Sequence, residues 1–104
     1  SKPTLLPREF VLFPAHPNPF NPETIIQFSV GVELFDSGVS SSPSATSLQI
    51  YDITGKLVKT LVNEKLALGN HTVKWNASGI PSGVYFILFS SGGLTETQKI
   101  LLMK

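Results

Sequence analysis

The chain has 104 residues and a formal charge of +1, from 8 Lys plus Arg against 7 Asp plus Glu, with 41% hydrophobic and 14% charged residues. This is one domain's length with apolar surface for one core, which excludes two independent cores and whole-chain disorder, and no basic stripe is present to bind nucleic acid. The absence of cysteine excludes disulfides, thiolate chemistry and a Cys-type zinc site, and no run reaches the roughly 18 apolar residues of a membrane helix.

Eight Gly and eight Pro separate short segments rich in Val, Ile, Leu, Phe and Thr, the pattern of an all-β domain. A short leading strand is expected over 10–13. Pro17-Asn18-Pro19-Phe20-Asn21-Pro22 then removes backbone donors at three sites and favours extended or turn conformations, a rigid lead-in with Phe20 plugging one end of the fold. The following Thr24 to Val30 has period two, with Ile26, Phe28 and Val30 on the buried face and Ile25, Gln27 and Ser29 on the other. Residues 31–47 hold Ser37, Ser40, Ser41, Ser42, Ser44 and Ser47 with Pro43, and read as a long mobile loop that cannot gain enough burial to offset its ordering entropy.

Leu48 to Ile53 alternates again, and Thr54-Gly55 supplies a turn into Lys56 to Val62, so a hairpin is expected. Asn63 to Leu68 is the best helix candidate, but ended by Gly69 it makes a turn at most. In His71 to Asn76, Val73 and Trp75 point inward, and Trp75 is expected to anchor the core among Ile26, Phe28, Ile50 and Phe89. Val84 to Phe89 is apolar throughout, as in a central strand, and Ser91-Gly92-Gly93 turns the chain into a last strand from about Leu94 to Met103. Within that strand Ile100 and Leu102 share the core parity, while Lys99, Leu101 and Met103 take the other face. The count is about seven strands, spaced as a small antiparallel sandwich requires.

Residues with chemistry are sparse. His16 and His71 have no metal-ligand spacing and no partner for a Ser-His-Asp arrangement, so they read as residues of a proline-rich turn and a strand start. Asp52 and Glu64 form no evident acid-base pair, and no glycine-rich loop joins a strand to a helix. Catalytic, cofactor-binding and metal-binding residues are all expected to be absent.

Four segments in fixed order carry a resemblance. Pro17 to Pro22 is followed by Thr24, Ile26 and Phe28; then comes Tyr51-Asp52-Ile53-Thr54-Gly55-Lys56-Leu57-Val58; then Leu66, Gly69, His71, Val73 and Trp75; finally Ser82-Gly83-Val84-Tyr85-Phe86 and a strand bracketed by Lys99 and Lys104. Together these resemble the type A C-terminal sorting domain of proteins exported by the type IX (Por) secretion system of Bacteroidetes. They are also similar to the Ig-like domain of flagellar hook-capping proteins, though Ala77-Ser78-Gly79 replaces that domain's Asp-Gly-x-Asp stretch. The loop over 31–47 is longer than the family's usual link, and Leu88 stands where many relatives have Arg, which leaves Val84, Phe86 and Leu88 as an apolar row if Tyr85, Ile87 and Phe89 face the core.

The resemblance implies an all-β, Ig-like or fibronectin III-like sandwich over residues 1–104. It also implies a function, a non-catalytic address that sends an attached cargo through the outer membrane, by way of the periplasm, to the cell surface or medium. Its partners would be the outer-membrane translocon, the upstream cargo and a surface sortase-like peptidase. Pro17, Asn18, Pro19, Phe20, Tyr51, Asp52, Gly55, Gly69, Trp75, Gly83 and Tyr85 would be structural motif residues. An address ends its polypeptide, so Lys99, Ile100, Leu101, Leu102, Met103 and Lys104 are the expected recognition residues, forming an edge whose free backbone groups a partner could extend by a strand. An exposed Val84, Phe86 and Leu88 row would give weak self-association. The competing function is an Ig-like structural, adhesive or carbohydrate-binding accessory module of a secreted enzyme, which would want exposed coplanar aromatics.

Overall fold

Alternating apolar residues place one face of each long strand in a common interior, and the computed structural model shows how the strands share it. It describes residues 11–30, 34–35, 38–39, 44–67 and 69–104. The strands are β1 (Val11–Leu12), β2 (Glu23–Val30), β3 (Leu34–Phe35), β4 (Gly38–Val39), β5 (Ser44–Asp52), β6 (Leu57–Leu66), β7 (Gly69–Asn76), β8 (Gly83–Ser91) and β9 (Leu94–Leu102), and no helix occurs among the described residues. Seven of them build two antiparallel sheets ordered β1-β2-β7 and β6-β5-β8-β9, while among the described residues β3 and β4 pair with each other. This is the expected all-β sandwich.

Inward residues meet between the sheets. Ile26, Phe28 and Val30 of β2, Leu48 and Ile50 of β5, Tyr85, Ile87 and Phe89 of β8, and Ile100 and Leu102 of β9 are all buried. Phe28 and Phe89 join the sheets with ring centroids 4.8 Å apart, a tilted contact of the kind aromatic quadrupoles favour. Trp75 is buried as expected, but its ring partners are Phe20 at 5.5 Å and Tyr85 at 5.9 Å. The indole therefore sits toward the end of the sandwich where the proline-rich lead-in arrives, because its register partner on β2 is Thr24 and not Phe28.

Two sequence boundaries differ from expectation. Ser44 to Ser47 belong to β5, paired in register with Leu66 to Asn63, so the long connection closes earlier than 47. Residues 31–33, 36–37 and 40–43 of that expected mobile loop lie outside the described residues, as does Phe10 of the expected leading strand. The segment expected to turn at 63–68 instead continues β6 through Leu66, since Asn63, Glu64, Lys65 and Leu66 each have a ladder partner on the first half of β5; Leu68 lies outside the described residues. Length is the physical reason: β5 runs nine residues, and its hydrogen-bonding groups on that side need a strand opposite them.

The turn that joins β5 to β6 lies where expected, around Thr54-Gly55. Bulges interrupt the ladder of this hairpin between Leu48 and Gln49 and between Ile50 and Tyr51. β6 is an edge strand, and bulges of this kind twist an edge away from further pairing. Removing the indole at the core's end tests the packing: Trp75→Ala is expected to cost about 3–5 kcal/mol in urea or guanidinium unfolding, with the fold retained at low denaturant.

Candidate recognition surface

Five structural motif residues act locally on turns. Asp52 Oδ1 accepts the Thr54 N–H at 2.9 Å, the Thr54 hydroxyl at 2.6 Å and the Lys56 N–H at 3.0 Å. The Gly55 N–H closes the same turn onto the Asp52 carbonyl at 3.0 Å, and Gly55 has φ +87°, a left-handed conformation that costs a residue with a Cβ about 1–2 kcal/mol. Gly69 and Gly83 also have positive φ. The Thr54 hydroxyl, aided by the Lys56 N–H, holds the exposed Asp52 carboxyl below its ordinary 3.8. Tyr85, register partner of Asp52, donates its hydroxyl to the Pro81 carbonyl at 2.6 Å, and burial, with the nearby Asp52 charge, raises its pKa. Tyr51 is half-buried on the opposite face and donates to Gln49 Oε1 at 3.0 Å.

The proline-rich segment does more than lead into β2. Phe20 is buried, and its N–H donates to the Leu101 carbonyl while its carbonyl accepts the Met103 N–H, both at 3.0 Å, a parallel bridge onto the outer edge of β9. Asn18 completes the seal: its Oδ1 accepts the Leu101 N–H at 3.0 Å and its Nδ2 donates to the Lys99 carbonyl at 3.3 Å. Pro17 anchors the segment to the first sheet, its carbonyl accepting the hydroxyl of the fully buried Thr24 at 2.8 Å. The His16-Pro17, Asn18-Pro19 and Asn21-Pro22 peptide bonds are all cis.

This corrects the expectation of a free terminal edge. Ile100 and Leu102 face the core as expected, at 1% and 0% exposure, and Lys99, Met103 and Lys104 are exposed with Leu101 half-buried. Yet the backbone of Leu101 and Met103 is already bonded to Asn18 and Phe20, so strand addition there is blocked. The Lys104 N–H is held too, by the Ser82 hydroxyl at 3.0 Å. What remains open to a partner is the side chains.

Further along the same edge, two polar residues were missed. Glu96 Oε1 accepts the Leu12 N–H at 2.6 Å, Gln98 Oε1 accepts the Ala15 N–H at 2.7 Å, and Gln98 Nε2 donates to the Phe13 carbonyl at 2.9 Å. The signal was parity. Glu96 and Gln98 share the inward parity of Ile100 and Leu102, and a half-buried polar residue at an inward position implies a backbone partner across the sheets.

The two histidines have local tasks. His71 Nε2 donates to the Ala67 carbonyl at 2.8 Å and its ring stacks on Phe28 at 5.5 Å, while the backbone of His16 bridges Ile25. Among the described residues no three His, Asp or Glu side chains gather as a metal site.

Comparison with known proteins agrees with this architecture. The family described as secretion system C-terminal sorting domain matches residues 14–103. No curated protein matches the chain. A solved structure of PorZ, an essential bacterial surface component of the type IX secretion system of Porphyromonas gingivalis, is similar over 89% of this chain, with a TM-score of 0.57 and 20% identity. The chain spans 11% of that protein's length, and the likeness is one of fold.

The Asp52 turn yields a pH test. Because its folded pKa is depressed, the stability it contributes is present above its ordinary 3.8 and is lost as pH falls through the folded value. The gap in urea midpoint between wild type and Asp52→Asn is therefore expected to be constant near neutral pH and to close below about 3.8.

Proposed function

The chain belongs to the secretion system C-terminal sorting domain family, and from that premise we propose that its address is read through the outward side chains of the last strand on an already closed fold. Domains of this family are folded signals for type IX secretion, which carries an attached cargo through the outer membrane to the cell surface or the extracellular space, and a sorting signal is not itself catalytic. The observation that carries the proposal is the division of labour along β9. Ile100 and Leu102 hold the strand in the core, the backbone is occupied by Asn18 and Phe20, and Lys99, Leu101 and Met103 project to the other face with Lys104 beyond them.

On this reading the outer-membrane translocon contacts those side chains after the cargo has reached the periplasm, and a surface sortase-like peptidase acts on the exported protein. The half-buried row of Val84, Phe86 and Leu88 supports weak self-association, confined to high protein concentration. The carbohydrate-binding alternative loses its platform, since Trp75 and Tyr85 are buried and leave Tyr51 without a coplanar partner among them.

The test is a fusion of residues 1–104 to the C-terminus of a periplasmic reporter in a host that carries type IX secretion. The intact fusion is expected at the surface or in the medium. Deletion of residues 100–104 is expected to trap it in the periplasm, and Lys99→Ala with Lys104→Ala, which leaves the core untouched, is expected to reduce export with the melting temperature unchanged. A folded intact fusion that stays in the periplasm would contradict the proposal.

A further inference from the structure

The outer face of the four-stranded sheet is not uniform along its length. Among the described residues five large hydrophobic side chains are exposed, and three of them, Ile53, Leu57 and Met103, lie at one end of this sheet, where β5 and β9 finish and β6 and β8 begin. The other two, Val11 and Phe13, lie on the leading segment of the first sheet. Ladder registers connect the strands that carry them into one surface: Leu57 is opposite Tyr51, Tyr51 opposite Phe86, Phe86 opposite Lys99, and Val84 opposite Leu101, with Ile53 two residues beyond Tyr51 and Met103 two beyond Leu101. Tyr51, Val84, Phe86 and Leu101 are half-buried, so each offers part of its surface without being able to withdraw it into the core.

Charge around the patch is predominantly positive. Lys56, Lys99 and Lys104 are exposed around the patch. Glu23, which lies at the same end of the sandwich, belongs to the first sheet and sits 4.0 Å from Lys74 there. Asp52 spends its Oδ1 on the turn that carries Ile53, accepting three hydrogen bonds from Thr54 and Lys56. The patch thus presents aromatic and aliphatic surface rimmed by ammonium groups. Its complement is an apolar projection rimmed by carboxylates.

We propose that this end of the sheet, built from Ile53, Leu57, Tyr51, Phe86 and the outward β9 residues Lys99, Leu101 and Met103, is the docking surface for a protein of the secretion machinery that presents an apolar contact flanked by carboxylates. The inference rests on the sorting function proposed above and extends it: the recognised object is a folded surface made by four strands, and half of it lies more than a strand away from the tail in sequence. A second copy is at most a weak occupant, confined to concentrations well above 50 μM, because a two-fold pairing of this patch sets lysines against lysines. An anionic lipid surface is a poor one as well. Three lysines contribute about 1 kcal/mol each at a membrane, and a stiff sheet face inserts little apolar surface between headgroups.

Ile53 and Leu57 make the test clean, since they are 73% and 46% exposed on a turn and an edge strand and hold up no core. In the reporter fusion, Ile53→Ser with Leu57→Ser, and separately Phe86→Ser, are expected to lower surface reporter at least tenfold. Lys65→Glu at the far end of the same face and Phe13→Ser on the other sheet are expected to leave it unchanged. Each purified variant is checked by thermal melting, sedimentation velocity and flotation with phosphatidylglycerol vesicles, and all are expected to fold, to sediment as monomers at 50 μM and to leave the vesicles unbound. Export of the Ile53/Leu57 and Phe86 variants at the intact level would overturn the surface while leaving the sorting function standing. A wild-type dimer at that concentration, or vesicle binding, that the same substitutions abolish would give the surface to a second copy or to lipid and overturn the proposal. Failure of the folded intact fusion to be exported would overturn the sorting function and this surface with it.

Discussion

The bridge between Phe20 and the end of β9 is the contact on which the rest of the domain depends. Phe20 reaches β9 through two backbone hydrogen bonds, while the same short segment runs directly into β2 of the opposite sheet. One stretch of chain therefore ties both sheets together at the end where Trp75, Tyr85 and Leu102 are buried. The prolines fit this task. A segment without amide hydrogens at three positions cannot extend either sheet as a regular strand, so the donors and acceptors it does have, at Asn18 and Phe20, are directed to one place. Glu96 and Gln98 repeat the arrangement further along the edge with side chains in place of backbone.

Sealing one side of the sandwich in this way has consequences for association. Exposed strand edges invite pairing with other chains, and a domain exported across a membrane meets many. Here the β1/β9 side is strapped by side chains and by Phe20, and the β6 edge on the other side is bulged. Backbone pairing at the tail is closed, and on the proposed reading specificity passes to side chains on the sheet face. A signal of that kind exists only after folding, because Tyr51, Leu57, Phe86 and Lys99 come from four different strands and meet only through the ladder registers.

Much of this was legible in the sequence, for identifiable reasons. Period-two alternation placed Ile26, Phe28, Ile100 and Leu102 correctly because burial acts on each side chain through a local geometric rule, whereas in the wholly apolar run of β8 the inward set of Ile87 and Phe89 came from the family pattern. The Asp52 to Lys56 turn was visible because its hydrogen bonds are all within four residues. The family resemblance rested on the same local features, and the match over residues 14–103 accords with it. What escaped was long-range and polar. Asn18 contacts residues more than eighty positions away, and no pattern within residues 17–22 says which edge they will cover. The extent of β6 escaped too, since Asn63, Glu64 and Lys65 are strand residues only by virtue of the partners that β5 gives them.

The tail of β9 is a sealed strand and not an open edge. Amide hydrogen exchange at Leu101 and Met103 tests it directly, since their N–H groups donate to Asn18 Oδ1 and to the Phe20 carbonyl. Both amides are expected to be protected on the scale of the β8/β9 ladder, and Asn18→Ala is expected to release Leu101 selectively while that ladder stays protected. Exchange of Leu101 and Met103 at the rate of unstructured peptide amides, in a domain whose β8/β9 ladder is protected, would contradict the claim and restore the tail as a free edge.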